Sequence, residues 1–127
     1  MQTKKRGEWI MQDGLKIVYS VCKSESYSEA VGYQGEGKVG TILTEYDGVA
    51  LKRIGAYAFF GCRTLVCLRI PVSVEEIEER AFSGCIRLKE IEYGGRVVDW
   101  GIVKKGYHWK EGVIAKEIVC SDGVVAL

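Results

Sequence analysis

Five cysteines and a single histidine are the residues with the most reactive chemistry to offer, and their spacing decides what they can do. Cys62 and Cys85 occupy equivalent places in a stretch that repeats every 23 residues. Stacking that stretch would bring their Cα atoms to about 5 Å, a span a disulfide can bridge. The competing reading, and the expected one, is a buried ladder of free thiols, because free Cys is among the most buried residue types. Cys67 could be imagined joining them around a metal ion, but ligation needs three or four converging donors. Cys67 alternates outward from Leu68, and the only histidine, His108, lies well down the chain. No metal site is expected. A Cys-His nucleophile would need a thiol against the imidazole and a third group orienting the ring. Set between Tyr107 and Trp109, His108 reads as a half-exposed cap residue, and no catalytic residue is expected.

Two further patterns lead to the same result. The closely spaced glycines of Gly32-Tyr-Gln-Gly35-Glu-Gly37 are followed by neither a helix nor a GK[ST] element, so a phosphate cradle fails its context test and the segment reads as a turn. Lys104, Lys105, His108 and Lys110 form a small basic cluster whose default reading is a solvated face. No cofactor is expected. Lys+Arg 18 against Asp+Glu 17 gives a net charge of +1, which argues against nucleic acid or an anionic membrane held by bulk charge.

The elements that would carry these residues are organised by the repeat. Ile54 to Glu76 reads IGAYAFFGCRTLVCLRIPVSVEE and Ile77 to Asp99 reads IEERAFSGCIRLKEIEYGGRVVD. Ile54/Ile77, Ala58/Ala81, Phe59/Phe82, Gly61/Gly84, Cys62/Cys85, Leu65/Leu88 and Leu68/Ile91 coincide. Apolar and glycine positions that recur at a fixed period while charged positions drift are the signature of a solenoid. Each unit must stack on a neighbour to bury its apolar stripe. Val74, Ile77, Ala81 and Phe82 alone are spaced like a helix face, but the first copy holds Gly55 and Tyr57 at matching places. A shared backbone therefore predicts a short strand at Val74 to Ile77 and one helical turn around Arg80 to Ser83. Leu65, Leu68, Ile70, Leu88, Ile91 and Tyr93 should point inward, and Pro71 should end the first inner strand.

At 127 residues the chain is read as one domain, large enough to fold without disulfide or metal staples. Residues 1–13 are an approach segment. Residues 14–53 form an N-terminal β cap: a strand from Leu15, a turn at Ser24 to Glu29, strands at Ala30 to Tyr33 and Val39 to Leu43, and Val49 to Ile54 after the Asp47-Gly48 turn. Residues 54–99 are the two repeats. Residues 100–127 form the C-terminal cap, with a helix beginning near Arg96, running to Lys104 and burying Val97, Val98, Trp100 and Val103, then a hairpin turning at Asp122-Gly123. The N-terminus lacks the apolar run of a signal peptide, no stretch of about 18 apolar residues offers a transmembrane helix, and an odd cysteine count without a CxxC pair fits a reducing compartment. As written, the chain is expected to be soluble and cytoplasmic, with no membrane insertion.

The repeat resembles the BspA-like, or treponemal-type, leucine-rich repeat, IGxxAFxGCxxLxxLxIPxSVxx. Ile54-Gly55, Ala58-Phe59, Gly61-Cys62, Leu65, Leu68, Ile70-Pro71 and Ser73-Val74 carry the match, and the second copy replaces the IP by Tyr93-Gly94. Leu43 stands where the lead-in usually has Pro. The resemblance spans roughly residues 14 to 125. It implies a right-handed, β-rich leucine-rich-repeat solenoid of short strands and single helical turns, capped by N-terminal β-strands and a C-terminal helix plus hairpin. It also implies a bacterial, non-enzymatic protein-binding module, of the kind found in surface adhesins. Cell-surface or secreted placement would follow if the chain is a fragment of a longer family member.

Outward strand positions then hold the functional information. Arg69 maps onto Glu92 and Arg53 onto Glu76, so opposite charges should meet on adjacent rungs, each pair worth roughly 0.2–1 kcal/mol. The candidate partner-binding face is Cys67, Arg69, Lys89, Glu90 and Glu92, facing an unidentified protein. The alternative class is a structural, self-assembling repeat unit; the expected state is a monomer or weak homo-oligomer.

Overall fold

A computed structural model describes residues 14–127; the approach segment, 1–13, lies outside the described residues. In chain order the elements are β1 (Lys16–Cys22), β2 (Tyr27–Gln34), β3 (Val39–Thr41), β4 (Glu45–Tyr46), β5 (Val49–Ile54), β6 (Cys67–Ile70), β7 (Glu76–Ile77), β8 (Glu90–Tyr93), α1 (Val97–Ile102), β9 (Lys104–Lys105), β10 (Glu117–Cys120) and β11 (Gly123–Ala126). They form a solenoid whose rungs cross two sheets. One sheet runs β1-β2-β5-β7-β9 with β4 hairpinned onto β5, and the other runs β3-β6-β8-β10-β11. Neighbouring rungs pair in parallel, and the sequence period is the ladder register itself: Ile54 faces Ile77 and Leu68 faces Ile91.

The pairing extends beyond the duplicated stretch. β2 and β3 pair in parallel with β5 and β6, and β9 and β10 with β7 and β8, so each flank that the sequence suggests as a cap also supplies a rung. The winding therefore makes four turns. Its ends are closed by antiparallel strands, β1 on β2 and β11 on β10. β2 starts at Tyr27, inside the segment expected to be a turn, because the antiparallel pairing with β1 continues to Cys22 opposite Tyr27.

Arg80 to Ser83 is a run of turns and not a helical turn. Ala81, Ser83 and Cys85 donate their amides three residues back, while the alternate amides of Arg80, Phe82 and Gly84 donate to Tyr107, Trp109 and Glu111 of the next rung. Tyr57, Phe59 and Gly61 do the same toward Glu79, Ala81 and Ser83. A helix would keep every amide within its own rung, and the stack would then lose its hydrogen bonds along this side. The alternation is set by residues at positive φ in equivalent places: Tyr57, Arg80 and His108 at 60°, 53° and 50°, then Gly61, Gly84 and Gly112 at 69°, 82° and 87°.

Leu65, Leu68, Ile70, Leu88, Ile91 and Tyr93 all point into one continuous core. Along it runs an aromatic column. Tyr33 stacks on Phe59 at 6.0 Å, Phe59 on Phe82 at 5.1 Å, and Phe82 meets Trp109 edge-on at 6.4 Å. Trp100 of α1 then meets both Trp109 and Tyr93. The column thus crosses all four rungs and turns the corner into the C-terminal closure.

α1 is shorter than expected, and of its four apolar positions only Trp100 and Val103 are buried, while Val97 and Val98 stay exposed. Its ends are tied to other elements. Asp122, in the β10–β11 turn, accepts the Val97 amide at 2.8 Å, and Asp99 accepts the Arg96 amide at 2.9 Å. At the other end the Lys105 ammonium donates to the Trp100 and Val103 carbonyls at 2.7 and 2.8 Å and lies 4.4 Å over the Trp100 ring. Burial pulls that ammonium below its ordinary pKa. Because Asp122 caps the helix from a different element, Asp122→Ala should cost about 1 kcal/mol, the usual value of a lost N-cap. Equilibrium urea unfolding measures it; no change would mean that α1 is held by Trp100 alone.

Candidate functional site

The outer face of the β3-β6-β8-β10-β11 sheet is where side chains leave the core. Because strand residues alternate, parallel register gathers them into rows across the rungs. One row is Thr41, Arg69, Glu92, Val119 and Val124. A second is Val39, Cys67 and Glu90. In the first row Arg69 Nε reaches Glu92 Oε1 at 3.1 Å, both about half exposed, and Arg69 Nη1 donates to Thr41 Oγ1 at 3.4 Å. A shallow groove of about 270 Å³ flanks this row between Thr41, Pro71 and Tyr93. The opposite sheet carries its own charge ladder: Glu29, Arg53, Glu76 and Lys104 face one another in turn. Arg53 Nε lies 3.5 Å from Glu76 and 3.4 Å from Glu78. Both pairs expected from the repeat, Arg69 with Glu92 and Arg53 with Glu76, are formed. At this exposure each holds register more than it adds stability.

Of the five candidate face residues, Arg69, Glu90 and Glu92 are exposed on the sheet. Lys89 lies just before β8, its amide donating to the Val66 carbonyl, so it sits on the corner leading into the sheet. Cys67 shares the outward row but is only 8% exposed. A thiol is short, and the longer side chains beside it close over it. Burial first, then the carboxylates Glu92 and Glu90, raise its pKa. Thr41 and Val119 belong to the face and escaped the sequence reading, because the spacing of their rungs departs from the repeat period.

The remaining thiols are core groups. Cys62 and Cys85 are free and buried, and Cys85 Sγ donates to the Phe59 carbonyl at 3.0 Å. Desolvation, with Cys62 beside it, pushes the Cys85 thiol from 9.0 up to about 12. Between those values the folded chain keeps a proton that the unfolded chain has released, so Cys85 lends stability that is complete below pH 9 and is lost as pH climbs toward 12. Cys85→Ala should flatten that alkaline loss in pH-dependent melting curves. Cys22 differs: it is half-buried, and hydrogen bonds from Ser24 and the Glu25 backbone lower its pKa. Iodoacetamide should therefore modify Cys22 in the folded protein and reach Cys62, Cys67, Cys85 and Cys120 only after unfolding. Fast labelling of Cys85 would contradict its burial.

His108 has its ring 3.8 Å from that of Tyr107, on the exposed side of the fourth rung. Among the described residues no group of three or more His, Cys, Asp or Glu is placed to hold a metal ion. Nor is any helix among them long and apolar enough to cross a membrane.

Comparison with known proteins supports the fold and its repeat. Residues 48–101 match the family described as "BspA type Leucine rich repeat region (6 copies)". Among solved structures, a leucine-rich repeat protein of T. pallidum is similar at a TM-score of 0.59 and 19% identity, over 83% of this chain and 62% of that one. A leucine rich cell surface protein of Faecalibacterium prausnitzii gives 0.54 and 19%, over 89% of this chain and 27% of its own. A leucine-rich repeat protein of Bacteroides ovatus gives 0.53 and 19%, over 89% and 37%. This chain thus spans less than two thirds of each. Comparison with curated proteins returns no match. The stacked AF-x-GC arcs, the parallel ladders and these likenesses converge: residues 48–101 match BspA-type leucine-rich repeats, and the described residues share the fold of solved leucine-rich-repeat proteins.

Proposed function

We propose that the chain is a non-enzymatic protein-interaction module that displays the outer β3-β6-β8 face to a protein partner, with Arg69, Glu90 and Glu92 at its centre and Cys67 and Lys89 at its margins. The observation that carries this reading is the Thr41-Arg69-Glu92 row: exposed polar groups held in fixed register by three paired strands whose other face is core. A rigid sheet loses little conformational entropy on binding, which is how a flat face gains affinity without a cavity. The description of the F. prausnitzii relative as a cell surface protein favours display outside the cell. A photo-crosslinking residue placed at Glu90 should capture a partner that the same residue at Lys16 does not. Titrated as a purified protein, that partner should bind the Arg69→Ala variant about tenfold more weakly, the effect of losing one central contact. Equal capture from both positions, or full binding by Arg69→Ala, would reject the face.

A further inference from the structure

Among the described residues the arginines divide into two groups. Arg53, Arg69, Arg80 and Arg96 each have a carboxylate partner, at 3.4, 3.1, 2.7 and 3.2 Å. Among the described residues Arg63 and Arg87 have none. Both are exposed and lie on consecutive rungs, at the corner where the turns enter the second sheet. Among the described residues two more unpaired cations join them. Lys89 follows Arg87 closely, its amide donating to the Val66 carbonyl, and Lys116 follows Ala115, whose amide donates to Leu88. Between these cations the same corner exposes two large apolar side chains, Ile86 at 47% and Ile114 at 54%. A groove of about 380 Å³ opens there between Thr64, Val66 and Arg87.

We infer that this corner docks a segment of a protein partner in which carboxylates alternate with apolar residues. This rests on the protein-interaction reading and adds the partner's chemistry. A guanidinium satisfies a carboxylate with two parallel hydrogen bonds, and rungs about 4.8 Å apart carry the two guanidiniums one position out of register, Arg63 beside Ile86 and Arg87 beside Thr64. The isoleucines give the intervening side chains an apolar seat. Glu36 lines the groove, while Glu90 and Glu117 stand exposed beside Lys89 and Lys116. These acids oppose a continuous polyanion such as nucleic acid or an anionic bilayer, whereas a peptide can place neutral residues against them. On the sheet face Arg69 and Glu92 have met each other within the chain; among the described residues Arg63 and Arg87 have met no partner.

The test titrates the isotope-labelled full chain with a peptide of repeated Glu-Leu-Ser triplets. Amide shifts should concentrate at Arg63, Ile86, Arg87, Lys89, Ile114 and Lys116, and affinity should fall as salt rises through about 0.15 M. The double variant Arg63→Glu, Arg87→Glu should bind at least about tenfold more weakly, the equivalent of one charge-assisted contact. Lys16→Glu with Lys23→Glu makes the same charge change on and beside β1 and should leave binding unaltered. Melting curves of both variants check that they are folded. Absence of binding overturns the proposal. So does tighter binding of polyphosphate or phosphatidylglycerol vesicles at the same corner. Shifts at Thr41, Arg69 and Glu92 in place of the corner would also overturn it while leaving the interaction reading intact, and that reading falls only by the crosslinking experiment.

Discussion

Phe82→Ala should cost about 3–5 kcal/mol, the range for a buried aromatic truncated to Ala, and remove a large part of a domain stability that is typically 5–15 kcal/mol. Phe82 is fully buried in the middle of the aromatic column, stacked on Phe59 at 5.1 Å and meeting Trp109 edge-on at 6.4 Å. Truncation opens a cavity on both sides of the third rung, and the flanking rings cannot close it, because the Phe59 amide is bonded to the Ala81 carbonyl and the Trp109 carbonyl accepts the Phe82 amide. Melting should fall by on the order of 10–20 °C. Phe82→Leu keeps most of the volume and should cost well under half as much. In a double-mutant cycle Phe59 and Phe82 should couple by about 0.5–1.5 kcal/mol, the value of a direct aromatic pair. A loss near 0.5 kcal/mol for Phe82→Ala, as for a surface substitution, would mean that the column does not bear on the fold.

The same column shows what could be read from the sequence and what could not. Phe59 and Phe82 announce themselves, because a buried stack demands the same residue at the same offset. The flanking rungs keep the geometry and lose the residues. Tyr33 reaches the column from within β2 itself, and Trp109 does so after α1 has lengthened its rung. In the fourth rung the surviving signal is Gly106 and Gly112, spaced as Gly55 and Gly61 are, with His108 at the positive-φ place of Tyr57 and Arg80. Period counting misses it because the inserted helix shifts the register. The arc at Arg80 to Ser83 departs from the expected helical turn for another reason. The spacing of Ala81 and Phe82 suits a single helical turn at Arg80 to Ser83 as well as stacked turns, and the choice between them is made by where alternate amides find acceptors, which only the neighbouring rung decides.

At the surface the sequence was more informative about pairing than about exposure. Arg69 with Glu92 followed from the offset alone, since parallel register turns sequence period into contact. The burial of Cys67 did not follow, because it depends on the length of the side chains to either side and not on which way the strand faces. The Arg63 and Arg87 corner was invisible for a similar reason. An unpaired charge is defined by its neighbours, and those come from three different rungs.

Gly106→Ala should be the most costly single-methyl change near the C-terminal end, about 2–4 kcal/mol, combining overpacking with strained backbone hydrogen bonds. A Cβ at this position would lie 2.7 Å from the Glu79 amide nitrogen and 2.8 Å from the Glu78 carbonyl carbon. Both obstacles are backbone, so the methyl can be admitted only by parting the third and fourth rungs. That parting strains the bond from the Gly106 amide to Ile77, at 2.8 Å, and those from Arg80 and Phe82 to Tyr107 and Trp109, at 2.9 and 2.8 Å. Gly101→Ala is the control: it lies inside α1 with open space where the methyl would go, and should stabilise by about 0.5–1 kcal/mol through helix propensity. The two substitutions are chemically identical and five positions apart, so opposite signs in urea unfolding isolate the close approach. Hydrogen exchange locates it. Because rungs interact only with their neighbours, the amides of Arg80, Phe82 and Gly84, which donate into the fourth rung, should lose protection in Gly106→Ala. Those of Tyr57, Phe59 and Gly61, which donate into the third, should keep theirs. Uniform loss across both sets would mean that the four rungs unfold as one unit and that the fourth is no separable closure.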